Sequence, residues 1–403
     1  MPQVEAPEVD EKRSRAGIAL LRTICLVMGS IWFALLLGEG LLRLMPWLLS
    51  VELQQQLQGD LSDVGPRHPY IGGLAKPYDH DTIVGRDFSA PYHTDGNGFR
   101  NAWPWPEQAD IVVVGDSFVF GYGVQDTEAW PALLSQALPQ ARVINLGFIG
   151  TGPQQYLRIY ETFGTPLHPK VIVVGLLLIN DFWDAATFEK WVNAHTTEHY
   201  IAWRSRRNRF TLRHPILSIN NLLLRYSYIY NLGYSAYKAK SKGGTVRLEL
   251  ADGGKLQLVP SLLEYATSLG QPDRREFRLV LKALVDFQAL ARQQGAHLLV
   301  VFQPSKEEVY LPFLETTVAD LSAPLRAALD ANGIAYLDLT ATFRQCARAG
   351  KRLFFEVDGH PNTQGLQLIA QDVLAYLSKH AAVYTVPSAA SSASSTQMQC
   401  NEH

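Results

Sequence analysis

Residues 111–123 read IVVVGDSFVFGYG. Four β-branched residues run without interruption into Gly115-Asp116-Ser117, and an aromatic, glycine-containing turn follows. A short apolar run bounded by a turn signal is the pattern of a strand covered on both faces. It leaves a hydroxyl at the strand's carboxyl end, where open α/β sheets bind their ligands. Taken alone, Ser117 reads equally as a nucleophile or as a polar residue ending a buried strand. A serine hydroxyl needs a neighbouring base before it can attack.

Working outward, the same pattern recurs. Apolar runs over 111–115, 142–146, 171–179, 297–303 and 334–338 read as strands. Between and after them, 127–138, 153–163, 273–294, 319–332 and 363–379 carry helical periodicity. Strands alternating with helices imply a three-layer α/β/α fold around a parallel sheet with right-handed crossovers. The chain has 403 residues, 47% of them hydrophobic, enough for one large domain with appendages. The net charge of -2 gives no global attraction for nucleic acid.

The flanks carry other signals. Lys12, Arg13 and Arg15 precede an apolar run from Ala16 to Gly38, broken only by Arg22. As a helix this run spans about 35 Å, the thickness of a bilayer core. It is longer than a signal-peptide core and no A-x-A-like site follows, so it reads as an uncleaved anchor. The basic residues place its N-terminal side in the cytoplasm. The expected organisation is a cytoplasmic N-terminus (1–15), a transmembrane anchor (16–43), a stalk and irregular lead-in (44–108) and an α/β domain (109–382). An insertion (182–272) interrupts the domain, and a Ser/Ala-rich disordered tail (383–403) follows it. Between Arg204 and Arg247 the insertion holds ten Lys or Arg and no Asp or Glu. Two readings stand: a solvated helical cap, or a surface for anionic glycans or lipid headgroups. TVRLELADGGKLQLV, which follows, reads as a β-hairpin around Asp252-Gly253-Gly254. Cys25 lies in the anchor; Cys346 and Cys400 can pair in an oxidising compartment, but the cysteines read as incidental. No metal-ligand spacing is present.

A base for Ser117 is found in EVDGHPNTQGLQLIA, where Asp358 precedes His360 by two residues. If this loop returns to the sheet rim, Asp358 orients the imidazole and His360 takes the serine proton. Glu356 is the alternative acid. Donors for a developing oxyanion come from the Ser117 amide, the turn Phe148-Ile149-Gly150-Thr151-Gly152, and Asn180 at the end of VIVVGLLLI.

With these motifs the chain resembles the SGNH (GDSL-type) hydrolase superfamily over about 110–181 and 273–380. Gly115-Asp116-Ser117 resembles its nucleophile block and Asn145-Leu146-Gly147-Phe148-Ile149-Gly150 its second block. There Gly150 corresponds to the oxyanion glycine, with Gly147 as fallback. Leu178-Ile179-Asn180-Asp181 resembles the third block, and Asp358-Gly359-His360-Pro361-Asn362 the fifth. Two departures stand out: Leu178 replaces the usual glycine, and only Gly359 separates acid from base. The one-residue gap, and the Pro-Ser-Lys of QPSKEEVYLP (303–312), are similar to relatives of alginate O-acetylation proteins. The resemblance implies an esterase, and the apolar N-terminal run with its flanking charges places it in the inner membrane with its catalytic domain outside the cytoplasm. Ser117, His360 and Asp358 would be catalytic, with Ser117, Gly150 and Asn180 binding the oxyanion, and no cofactor. The implied substrate is a small acyl ester, O-acetyl on a polysaccharide or other glycan. Two alternatives remain: an O-acetyltransferase of exopolysaccharide working with a multi-span acyl-donor partner, and a non-catalytic glycan-binding scaffold.

Overall fold

The computed structural model describes residues 8–45, 48–49, 65–85, 87–209, 223, 227–241, 245–250, 253–314, 317–384 and Cys400. The chain forms two compact units, Met1–Gly59 with Arg209–Lys242, and Asp60–Asn208 with Gly243–His403.

Among its described residues the larger unit holds nine strands: β1 His80–Val84, β2 Ser89–His93, β3 Ile111–Gly115, β4 Val143–Gly147, β5 Val171–Leu176, β6 Val246–Glu249, β7 Lys255–Leu258, β8 His297–Phe302 and β9 Ala335–Asp338. Five of them build one sheet in the order β4-β3-β5-β8-β9. Every pairing in it is parallel. β3 and β5 are buried along their whole length, as their unbroken apolar sequences require. Helices Trp130–Ala137 and Thr363–Lys379 pack on one another. Helices Pro153–Ile159, Leu178–Asn193, Pro260–Leu269 and Arg275–Gln293 form a second packed group. A parallel sheet needs such cover on both faces. The first strand of the sheet, β3, has β4 on one side and β5 on the other. Successive crossovers therefore leave in opposite directions from β3, and their carboxyl-end loops part to leave a crevice between β3 and β5.

Three expectations change here. The strand expected over 171–179 stops at Leu176, and a helix runs from Leu178 to Asn193. An apolar run cannot by itself tell a buried strand from the first turn of a buried helix. The Asp181 carboxylate accepts the Leu177 N–H at 2.7 Å and marks the change. The lead-in, expected to be irregular, contains the antiparallel pair β1–β2, which joins His80 to His93 and Val84 to Ser89. Its exposed, polar sequence lacks the alternation that would announce it. The stretch 182–272 also divides. Phe182, Ala185, Leu263 and Ala266 are buried in the main core, while Arg209–Lys242 belongs to the other unit.

β6 and β7 form the hairpin expected after the basic stretch; Asp252 of its turn lies outside the described residues. So do 385–399 of the tail expected to be disordered. Cys400 is described, and it forms a disulfide with the buried Cys346. The pair is structural rather than incidental. A cross-link over a separation of 54 residues stabilises the fold by about 4 kcal/mol in the chain-entropy account.

The smaller unit is built on the helix Glu8–Leu44. Within its segment Gly17–Leu44 an 18-residue window has a mean hydropathy of 2.1 and is unburied, and the segment is long and apolar enough to cross a membrane. Near its end, Glu39 accepts from Ser227 Oγ (2.9 Å) and from the N–H groups of Tyr228 (3.0 Å) and Ile229 (3.1 Å). These open the helix Tyr228–Ser241. Arg43 bonds the same carboxylate and stacks over the Tyr228 ring.

Candidate active site

β3 ends at Gly115, and the chain turns at once into a single helical turn, Ser117–Phe120. Asp116 caps that turn by accepting the Phe118 N–H at 2.9 Å. Gly115 is required by close approach: a Cβ there would lie 2.3 Å from Val119 Cγ2 and 2.9 Å from the Gly175 carbonyl oxygen. The turn can fold back onto the sheet only over a residue without a side chain. This sets Ser117 at the carboxyl end of β3, 7% exposed.

The loop 353–362 returns to the same rim. Phe354 and Pro361 form an isolated antiparallel bridge, and the Phe355 N–H donates to the His360 carbonyl. Asn362 then caps the helix Thr363–Lys379 by accepting from the Gly365 N–H. At the loop tip, Asp358 Oδ1 lies 2.9 Å from the His360 N–H and 2.5 Å from its Nδ1. The first bond is an Asx-turn, a side-chain oxygen closing on the amide two residues on. It explains how one intervening residue suffices, because the turn that takes the backbone N–H also aims the carboxylate at the ring. A carboxylate only accepts, so Nδ1 carries the proton and Nε2 is left as acceptor. Nε2 faces Ser117 Oγ at 2.8 Å. Burial acts to raise the Asp358 carboxyl, but the hydrogen bonds from His360 and the charges of His360 and Lys306 outweigh it and hold it below the ordinary range. Tyr122 covers the imidazole with ring centroids 4.4 Å apart. His360 Nδ1 bonds Asp358; Glu356 enters the loop's hydrogen bonding through its carbonyl, which accepts from Gln257 N–H.

The candidate oxyanion donors fall into three situations. Gly150 has φ +70, a conformation that side-chain-bearing residues rarely adopt. Its carbonyl accepts from Arg204 Nη1 at 2.5 Å, and no described partner takes its N–H. Gly147, the fallback, has its N–H committed to Asn145 Oδ1 at 2.8 Å. Asn180 lies in the first turn of a helix rather than at a strand end. Its amide nitrogen is 3.3 Å from both Asp116 Oδ2 and Asp184 Oδ2, and its Oδ1 is buried with no partner among the described residues. Asn180 thus reaches the residue beside Ser117. The Gly150 loop is tied to the end of β3 by the Phe148 N–H, which donates to the Gly115 carbonyl.

Behind these groups lie three fully buried carboxyls, Asp116, Asp181 and Asp184. Burial raises all three, Asp181 well above its usual range and Asp184 to about 7. Tyr156 donates its hydroxyl to Asp181 at 2.7 Å. Arg204 is the compensating cation, 2.8 Å from Asp184, with its guanidinium over the Trp183 ring. The first residue of the basic cluster is therefore spent inside the site, bridging Asp184 to the Gly150 turn. Among the described residues, no group of three or more His, Cys, Asp or Glu is arranged to hold a metal ion.

Sequence reasoning missed Arg204, Lys306 and Asp87. The Lys306 ammonium contacts the carbonyls of the 355–358 segment. Asp87 accepts the Val357 N–H at 2.7 Å. The Pro-Ser-Lys motif was a signal for Lys306; nothing in the sequence near Asp87 or Arg204 singled them out.

The sheet order and the placement of Ser117 define an SGNH-like hydrolase fold. The profile of the GDSL-like Lipase/Acylhydrolase family matches residues 113–368, and the chain belongs to that family of ester-hydrolysing enzymes. Similar solved structures include LAE5, an alpha/beta hydrolase enzyme from the metagenome of Lake Arreo, Spain (15% identity, covering 69% of this chain and 97% of that one, TM-score 0.34). A catalytic mutant of an acetylxylan esterase from Geobacillus stearothermophilus is also similar (13%, 66% and 93%, TM-score 0.35), as is TesA (14%, 67% and 98%, TM-score 0.35). No curated protein matches.

Proposed function

We propose that the protein is a membrane-anchored serine esterase of the cell envelope that removes small acyl groups, O-acetyl above all, from a polysaccharide or other glycan. The observation that carries the reading is the unbroken chain of short contacts Asp358–His360–Ser117, 2.5 and 2.8 Å long. In this reading Ser117 Oγ attacks the ester carbonyl carbon while its proton passes to His360 Nε2. Asp358 stabilises the imidazolium that results. The oxyanion is held by the amides of Ser117 and Gly150 and by Asn180, whose Nδ2 turns to it from the Asp116 and Asp184 carboxylates. Collapse breaks the ester C–O bond, and the proton moves from His360 to the departing alcohol. Water then gives its proton to His360 and attacks the acyl-enzyme, and the acid leaves as the proton returns to Ser117.

The slight exposure of Ser117 supports a small acyl group. A disulfide persists in an oxidising compartment, and Cys346–Cys400 supports placing the domain outside the cytoplasm. The basic residues before the apolar helix support the same orientation, with the anchor in the inner membrane.

The test uses the full chain in detergent beside Ser117→Ala, with p-nitrophenyl acetate and acetylated glycans as substrates and fluorophosphonate labelling as a second readout. Turnover and labelling confined to the wild type are expected; equal values in both proteins would end the esterase reading. Acyl transfer to added oligosaccharide exceeding hydrolysis would make the protein an acetyltransferase.

A further inference from the structure

Lys306 opens the helix Lys306–Tyr310 and is 1% exposed. Its ammonium lies 2.7 Å from the Asp358 carbonyl oxygen, 3.2 Å from that of Phe355 and 3.3 Å from those of Glu356 and Val357. These are four consecutive carbonyls of the segment that ends in Asp358. The opposite polarity of the same segment meets Asp87, whose carboxylate accepts the N–H groups of Val357 at 2.7 Å and Asp358 at 3.4 Å. An irregular segment thus finds most of its side-chain hydrogen bonds in one buried cation and one anion from distant parts of the chain. Beside Lys306, Ser305 and Glu308 close a capping box that fixes where the helix begins.

Burying an ammonium is costly unless other groups replace its water. Burial pulls the Lys306 amine below its ordinary range, against the charges of Glu307, Asp358, Asp87 and Glu356. A methionine would fill similar space without that penalty, so packing alone does not account for a lysine here. The chemistry gains from both its bonds and its charge. A displacement of about 1 Å in a reacting constellation lowers rates roughly a hundredfold, and Asp358 stands at the end of the segment that Lys306 holds.

We infer that Lys306 is a positioning residue of the Ser117–His360–Asp358 reaction: it fixes the 355–358 backbone so that Asp358 meets His360 Nδ1, and it sets a positive charge beside that carboxylate. The inference rests on the esterase reading above. Removing the charge lets the Asp358 carboxyl take up its proton at higher pH. The charged and titratable groups facing Asp358 are His360, Lys306 and Tyr122, with the Asp87 carboxylate on its backbone N–H.

The experiment compares full-length wild type, Lys306→Met, Lys306→Ala, Lys306→Arg and Ser117→Ala on p-nitrophenyl acetate across pH. For Lys306→Met, kcat should fall roughly 10²- to 10³-fold with KM within about threefold, and the acid limb of kcat/KM should move to higher pH. Ethylammonium should restore at least about tenfold of the lost kcat to Lys306→Ala, and propanol should not. Lys306→Arg keeps the charge and should hold the acid limb in place even if Lys306→Met does not fold. Wild-type kcat with an unmoved limb in the neutral variants, equal rescue by propanol, or a displaced limb in Lys306→Arg would each overturn the inference. Undiminished turnover in Ser117→Ala would instead remove the esterase reading itself.

Discussion

The turn that carries Ser117 is held at its start by its own neighbours. Asp116 caps it, Gly115 makes room for it, and the residues it packs on come from adjoining strands. The loop that carries His360 is held from far away, by Asp87, Gln257 and Lys306. One side is positioned mainly by steric closeness in an apolar sheet, with the buried Arg100 guanidinium taking the Phe120 and Gly121 carbonyls at the far end of the turn; the other is positioned by the buried Lys306 ammonium and the half-buried Asp87 carboxylate. Steric placement tolerates almost no added volume but is indifferent to charge. Ionic placement tolerates changes of shape better than loss of charge.

Four changes test that contrast, beginning with the reacting groups. Ser117→Ala should cost about 10⁴- to 10⁶-fold in kcat with the fold intact, read by esterase assay beside circular dichroism. Asp358→Asn should cost about 10³- to 10⁴-fold, because an amide can present the ring with the wrong tautomer; kcat within tenfold of wild type would remove Asp358 from the reaction. On the steric side, Gly115→Ala should destabilise by at least about 1–3 kcal/mol, seen as a lowered urea midpoint, because its neighbours are backbone and branched side chain. On the ionic side, Asp87→Ala should lower kcat about tenfold with a small stability loss, since two N–H groups lose their acceptor. If Gly115→Ala proved harmless and Asp87→Ala unfolded the protein, the contrast would be reversed.

A smaller effect sharpens it further. The buried Asp184 carboxyl sits at about 7, above its ordinary 3.8. A carboxyl raised by folding stabilises fully below about pH 4 and loses that contribution as pH climbs through 7. Wild-type Tm should therefore carry a decline from this group between about pH 4 and 7. Asp184→Asn should match the wild type at the acid end and lack that part of the slope. Parallel pH profiles in thermal melts would show that Asp184 does not hold a proton in the fold.

The contrast also explains what could be read from sequence. The strands of the sheet were legible because two-sided burial writes uninterrupted apolar runs. Ser117, Asp358 and His360 stood out because a hydroxyl at a strand end and a carboxylate–imidazole pair just before a helix form a recognisable chemical set. The helix beginning at Leu178 was hidden, because an apolar run continues across the boundary between β5 and the helix. Arg204 was hidden in a cluster of basic residues whose average reads as surface. Asp87 was hidden because its partners are backbone amides about 270 residues away, and backbone groups leave no trace in residue identity. Cys346 and Cys400 were legible as a possible pair; that the tail returns to make it was not.

Glu39 lies in the apolar helix, yet it takes the first N–H groups of the helix Tyr228–Ser241. A leader that is trimmed after translocation leaves the mature chain complete. Trimming this chain at or beyond Glu39 would leave a downstream helix without its cap and Arg43 without its partner. The bonds from Glu39 to Tyr228 and Ile229 therefore tie the capping of a downstream helix to the fate of the hydrophobic segment.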